Sequence, residues 1–336
     1  TGQQNVALGT DALLASDDGV GNVALGFSSM AVGNAGNYNI GVGNQTLVDV
    51  AGSNNIAIGF QSLFDLTSGA NNIAVGHQAL KTANGVELQN IAIGTFAMLS
   101  VDEGASQHAD NNVAIGYSAL TGGAVSGGDF IDNIAIGKEA LNSTGTNPHT
   151  GTIAIGANAL TGLTSGGENL AIGYQAMKTM TTGAANIAVG YETMDALNHA
   201  DADANIAIGN NVLGAAGAIA LHSCVGVGHG ALDAVDSADA TGTIAIGRDA
   251  LGALTSGNGN TAVGYQALTT NVDGDRNTAI GYGALASHEA DTDGHGENTA
   301  LGYQAGGDVS VGTGNTLIGS RAGNQGTDDI TTGDNN

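Results

Sequence analysis

Tryptophan is absent from this chain, which has one cysteine (Cys224), one proline (Pro148) and only six lysines and arginines. A single thiol excludes an internal disulfide and any multi-cysteine metal site. Against those six basic residues stand 31 acidic ones, giving a formal net charge of −25. Nucleic acids and anionic membranes are gripped through clustered Lys and Arg, and here the six cations are scattered, so neither is an expected partner. No apolar stretch approaches the roughly 20 residues of a membrane helix, and no signal peptide is visible, so membrane insertion is not expected. Glycine is abundant at 57 residues, yet the lone proline and the missing triplet period exclude a collagen triple helix. With aromatics at 4 %, any core has to be assembled from many small aliphatic layers.

What the chain does have is a repeat. Versions of Asn-Ile-Ala-Ile-Gly-x-x-Ala-Leu occur eighteen times, 16 to 22 residues apart, from Asn5-Val6-Ala7-Leu8-Gly9 to Asn315-Thr316-Leu317-Ile318-Gly319. A repeat this short cannot bury a hydrophobic face alone, so copies stack as coils of a solenoid. The expected fold is all-β, a parallel β-solenoid (β-roll) of about 18 coils. One repeat domain is expected over 1–323, with 324–336 a connector to a further segment. At about 4.8 Å per rung, eighteen rungs make a rod of roughly 85 Å.

The columns assign roles. Ile, Val or Leu stands one residue before the Gly in every copy and three before it in fourteen; Leu or Met stands four after it in sixteen. These read as the core of each coil. From Thr261 through Thr278 and Thr299 to Thr316 the first of these positions becomes Thr, and Gly306 and Gly323 replace the Leu, which reads as an altered cross-section. Between the two aliphatic positions stands Ala in fifteen copies. A solvated strand face would carry longer polar residues, so this small-residue column, with Ala57, Ala74, Ala114, Ala135, Ala154 and Ala188, is expected to pack against identical chains in a homotrimer. Asn four residues before the Gly, as in Asn55, Asn72, Asn112, Asn133, Asn186 and Asn205, is expected to form an amide ladder from coil to coil. The Gly itself suits a bend with positive φ or a close backbone approach.

One residue past the Gly runs an aromatic column: Phe27, Phe60, Tyr117, Tyr174, Tyr191, Tyr265, Tyr282 and Tyr303. It reads as a seam at a coil corner or chain boundary, with a carbohydrate-stacking stripe as the alternative. Acidic residues concentrate in the variable connectors. Asp273-Gly274-Asp275 and Asp291-Thr292-Asp293-Gly294 resemble the opening of a calcium loop, so Asp273, Asp275, Asp291 and Asp293 are the metal candidates, but neither segment continues to the Glu an EF-hand needs. Solvated turn acids are the default, and no cofactor is expected. No nucleophile elbow or phosphate loop is present, and no enzyme is expected. A polysaccharide-degrading spike would need carboxylates about 5–9 Å apart. Glu139 and Glu192 share a column but stand three rungs apart, roughly 14 Å.

These columns resemble the head repeat of YadA-type trimeric autotransporter adhesins. The longer period, with phrases such as Asn260-Thr261-Ala262-Val263-Gly264-Tyr265-Gln266-Ala267-Leu268, resembles repeats of bacteriophage tail fibres. The resemblance covers Asn5 to about Gly323. It implies an elongated homotrimeric fibre, extracellular and part of a virion tail, that binds a host cell-surface receptor, polysaccharide included. The adhesin head, on a bacterial outer surface, and the degrading tail spike are the alternatives. No catalytic residue is implied.

Overall fold

The computed structural model describes residues 2–15, 18–33, 35–83, 87–103, 108–122, 124–125, 129–143, 149–288 and 296–324. It is an all-β parallel solenoid; among the described residues the only helical segment is a single 3-10 turn at Ala238–Ala240. The chain forms two compact units, 1–169 and 170–336. In each, nine three-residue strands, one per repeat, stack in parallel. The first unit runs from Val6–Leu8 to Ile153–Ile155 and the second from Leu170–Ile172 to Thr316–Ile318.

Register is set by the repeat itself. Equivalent residues pair rung to rung, as in Ala57 on Ala74 and Ala188 on Ala207. A one-residue slip would turn every strand side chain to the opposite face. Insertions therefore leave the strands aligned and are absorbed by the connectors, where minor parallel pairs such as Phe130–Ile131 with His149–Thr150 form.

The marker Gly closes each strand with a bend. At Gly137 φ is +135°, and a Cβ would lie 2.5 Å from the carbonyl oxygen of Gly156 on the next rung. At Gly319, which no described rung follows, nothing lies within 4 Å of the same Cβ position. Stacking therefore supplies the steric exclusion of a side chain, and the positive φ adds to it. Past the bend the backbone turns left-handed at non-glycine residues, including Gln78 (φ 55°) and the core residue Leu80 (φ 47°). Left-handed Leu costs roughly 1–2 kcal/mol. Rung-to-rung bonds hold it there: the Leu80 N–H donates to the Ala97 carbonyl at 2.9 Å, and the side chain is fully buried.

The interior differs from the sequence expectation at one decisive point. The Ala column faces inward. Ala57, Ala74, Ala114, Ala135, Ala154 and Ala188 are all 0 % exposed within the single chain, so they cannot be a face for other chains. The flanking Ile, Val and Leu columns, expected inside, face outward. The physical reason is width. A coil this short already encloses the Leu column four past the Gly, the small column three past it (Ala79, Ala119, Ala140) and, in many rungs, a further apolar residue such as Leu66, Leu163 or Leu254. Only Ala fits opposite them.

The three exceptions confirm the fit, and in one of them Leu317 fills the room left where Gly306 and Gly323 stand in place of the inner Leu. Gly41 replaces Ala where Ser29 and Thr46 enlarge the opposing column, and a Cβ there would lie 2.6 Å and 2.8 Å from their hydroxyls. Gly226 does so beside Val212, whose Cγ1 a Cβ would overlap. The Thr substitutions from Thr261 onward also sit on the outer side, so they alter the surface and not the core cross-section.

Candidate functional site

The Asn column forms the buried spine of each unit. Asn72 Oδ1 accepts from the Asn90 N–H (3.0 Å) and Nδ2 (3.2 Å), while its own Nδ2 donates to Asn55 Oδ1 (3.2 Å) and the Glu87 carbonyl (2.8 Å). Each amide thus satisfies itself, the rung beside it and a connector, which is the condition for burying a polar group without penalty. The same pattern joins Asn112 to Asn133 and Asn186 to Asn205. It stops where the residue type changes. The Thr152 N–H still reaches Asn133 Oδ1, but its hydroxyl has no partner. Cys224 keeps a weak bond from Sγ to the Ala240 carbonyl, and burial pushes its thiol pKa up. The ladder is scaffold, since all its donors and acceptors point into the coil.

The outward side of the strands is the surface with something to offer. Two side chains per rung stand there, both aliphatic except in the rungs of Thr261, Thr278, Thr299 and Thr316; Ile58 is 40 % and Ile208 41 % exposed, with Ile93, Ile115, Ile246 and Ile280 close behind. Those one before the Gly project most, and those three before it are half-buried in most rungs. At these two positions no rung carries a charge. Two partly exposed apolar residues per rung over nine rungs amount to roughly 1,000 Å² in the first unit, and the second, with one such residue in each of its last four rungs, carries less. Monomers rarely expose more than a few hundred.

Beside this face runs the aromatic column, and its rings stack on one another. Tyr265 and Tyr282 lie 5.0 Å apart at 14°, Tyr282 and Tyr303 5.4 Å apart at 19°, and Tyr174 and Tyr191 5.3 Å apart at 19°. The Arg321 guanidinium lies 5.8 Å from the Tyr303 ring centroid. In the first unit Phe60, His77, Phe96 and Tyr117 make a continuous run; Phe27 is exposed outside these stacks. In the three Tyr pairs the ring faces meet each other, whereas His77–Phe96 and Phe96–Tyr117 meet edge to face at 87° and 70°. The column is an apolar border to the Ile face. The Glu192 carboxylate, bonded to the Tyr191 hydroxyl, raises that phenol above its ordinary pKa.

Charge lies elsewhere on the coil. Lys138 and Arg248 in the flanking column pair with their own neighbours Glu139 (3.5 Å) and Asp249 (3.3 Å). Asp195 and Asp233 have raised pKa values, in each case chiefly through partial burial, with Glu192 and Asp249 respectively adding repulsion.

Of the calcium candidates, Asp291 and Asp293 lie outside the described residues. Asp273 and Asp275 line a hollow of about 350 Å³ with Asp239, Ser256, Gly257 and Asn258. One oxygen of each is engaged: Asp273 Oδ1 accepts from the Thr255 and Ser256 hydroxyls (2.9 and 2.7 Å) and Asp275 Oδ1 from the Asn258 N–H (2.8 Å). Among the described residues no group of three or more His, Cys, Asp or Glu is placed to hold a metal. Among the described residues no helix is long and apolar enough to cross a membrane.

Sequence reasoning missed the outward Ile face because it placed those residues inside. The signal was present in the Gly41 and Gly226 exceptions, each of which coincides with an enlarged residue in the column three past the Gly. No protein-family model matches this chain, and no curated protein matches it in sequence.

Proposed function

We propose that the chain is a structural, receptor-binding fibre segment that works as an assembly of identical copies, of the kind found in phage tail fibres, and attaches to a host cell surface by multivalent contact. The carrying observation is the uncharged outward face, Ile, Val and Leu at both positions over the nine rungs of the first unit and five of the second and at one position over the last four, bordered by aromatics. A specific interface needs about 800 Å² per partner, and this face supplies that area. Copies each carrying a formal −25 approach most easily here, because their acids stand on connectors and edges. Three copies in a homotrimer would close the face away from water and leave the connectors outward as repeated receptor contacts, gaining avidity without a strong single site.

Light scattering on the purified chain tests the assembly. The expected mass is three times 32.7 kDa. A mass near one chain would sink the proposal. Binding of the assembled protein to intact host cells or their surface polysaccharide, weakened by alterations in the connectors, tests the receptor role.

A further inference from the structure

The tyrosines of the second unit stand in contact, rung beside rung, on the surface of the coil. Tyr265, Tyr282 and Tyr303 follow one another on consecutive rungs, and Tyr174 and Tyr191 on two others, with ring centroids 5.0–5.4 Å apart and planes within 19°. All seven tyrosines of the chain are exposed, from 36 % at Tyr265 to 60 % at Tyr38. The other side chains that give up an electron readily are shielded. Tryptophan is absent, and Cys224 and all five methionines, Met30, Met98, Met177, Met180 and Met194, are at most 1 % exposed. An oxidant in solution therefore meets tyrosine first, and five of the seven tyrosines lie against another.

We propose that these two stacks are sites of oxidative cross-linking, at which a one-electron oxidant joins tyrosines of successive rungs as dityrosine. With hydrogen peroxide and a haem peroxidase as the oxidant, each of two phenols loses one electron and its hydroxyl proton. The unpaired spin lies partly on the ring carbon ortho to the oxygen, Cε. Two such carbons join in one C–C bond, and each then gives up its hydrogen as a proton, which restores the hydroxyl. Overall two ring C–H bonds are exchanged for one C–C bond, and the two electrons and two protons reduce peroxide to two waters. Stacking supplies the encounter: radicals on neighbouring rungs stay side by side, where free ones must meet by diffusion. The ring torsion of Tyr is broad, so exposed rings turn about Cβ–Cγ and bring their Cε edges together while the strands keep register. At Tyr191 the Glu192 carboxylate already accepts the phenol hydrogen bond and is placed to take the proton. The product adds a covalent tie to the hydrogen bonds between rungs. It forms within one chain, so it does not depend on self-association. Tyr38 and Tyr117 supply the contrast, since Tyr38 lies over Gly21 and Tyr117 against Phe96. Among the described residues neither stacks on a second tyrosine.

Peroxidase treatment of the full chain at high dilution tests this, read by dityrosine fluorescence, denaturing electrophoresis and peptide mass mapping. The expected products run as single chains. Their joined peptides carry Tyr265 with Tyr282, Tyr282 with Tyr303, or Tyr174 with Tyr191, each pair lighter by two hydrogens. Tyr282→Phe, which places in the column the residue found at Phe27 and Phe60, should abolish linkage in its stack and leave Tyr174–Tyr191 linkage unchanged. Dityrosine that is absent, or confined to links between chains, overturns the proposal. So does linkage of Tyr38 or Tyr117 within a chain as often as of the stacked residues, because stacking would then not direct the coupling.

Discussion

Inner and outer sides of the same strand carry opposite constraints. Inward, Ala57, Ala74 and Ala135 meet a packed wall, and one added methylene has nowhere to go. Outward, Ile58, Ile93 and Ile208 stand about 40 % exposed, with no wall of their own chain opposite them to limit their size. The inner column is small because the coil is narrow. The outer columns are large and apolar without an intrachain cause, and that asymmetry teaches where a partner belongs. A small-residue column reports close packing without saying whose atoms do the packing.

The sharpest way to break the comparison is a charge on each side. Ala135→Arg drives a guanidinium into the coil and is expected to unfold the protein, costing more than about 3 kcal/mol, with loss of the β signal in circular dichroism. Ile208→Lys with Ile246→Lys should leave that signal unchanged and reduce the light-scattering mass toward 32.7 kDa. If both substitutions lower stability alike, the outer face is not an interface.

Within the coil the next effect belongs to the spine. Asn72→Ala leaves the Asn90 N–H and amide without their shared acceptor and takes one of two donors from the Glu87 carbonyl, which keeps the Ala70 N–H, and should cost about 2 kcal/mol in chemical denaturation. A change under half of that would mean water replaces the amide. Packing complementarity predicts a smaller, conditional cost. Gly226→Ala should destabilise by about 1–3 kcal/mol because the new methyl meets Val212. In a Val212→Ala background, which restores the common Ala–Ala pairing, most of that cost should vanish. A double-mutant cycle showing simple additivity would refute the coupling.

The smallest predicted effect concerns the acidic edge. A carboxyl whose folded pKa is raised contributes stability that is fully present below its unfolded value, near 3.9, and lost as pH rises through the folded value. Partial burial raises Asp195 and Asp233 in this way. Asp233→Asn should therefore raise the melting temperature slightly at pH 7 and leave it unchanged at pH 3. The reverse order would mean Asp233 is held by its bond from the Gly214 N–H and by His229.

Much of this arrangement was legible in the residues. The eighteen Gly markers placed the strand of every repeat, though not the short connector strands such as Phe130–Ile131 and His149–Thr150. The Asn column placed the amide spine, including its interruption at Thr152 and Cys224, because a buried amide recurring at rung spacing has one economical way to be satisfied. The Leu column after the bend was correctly placed inside. The left-handed backbone at Leu80 and its equivalents was not legible, since Leu has no preference for that region and only the stacked rungs hold it there.

The sequence by itself determined the period, the parallel register and the existence of two distinct faces on each strand. Only the tertiary structure decided which face is inside. A period of two separates the faces, but here both are apolar, one of Ala and one of Ile, so hydrophobicity cannot choose between them. Volume chooses: a coil of this length, already holding a Leu and a second Ala, has room for a methyl group and none for an isoleucine. The larger residues are left on the surface.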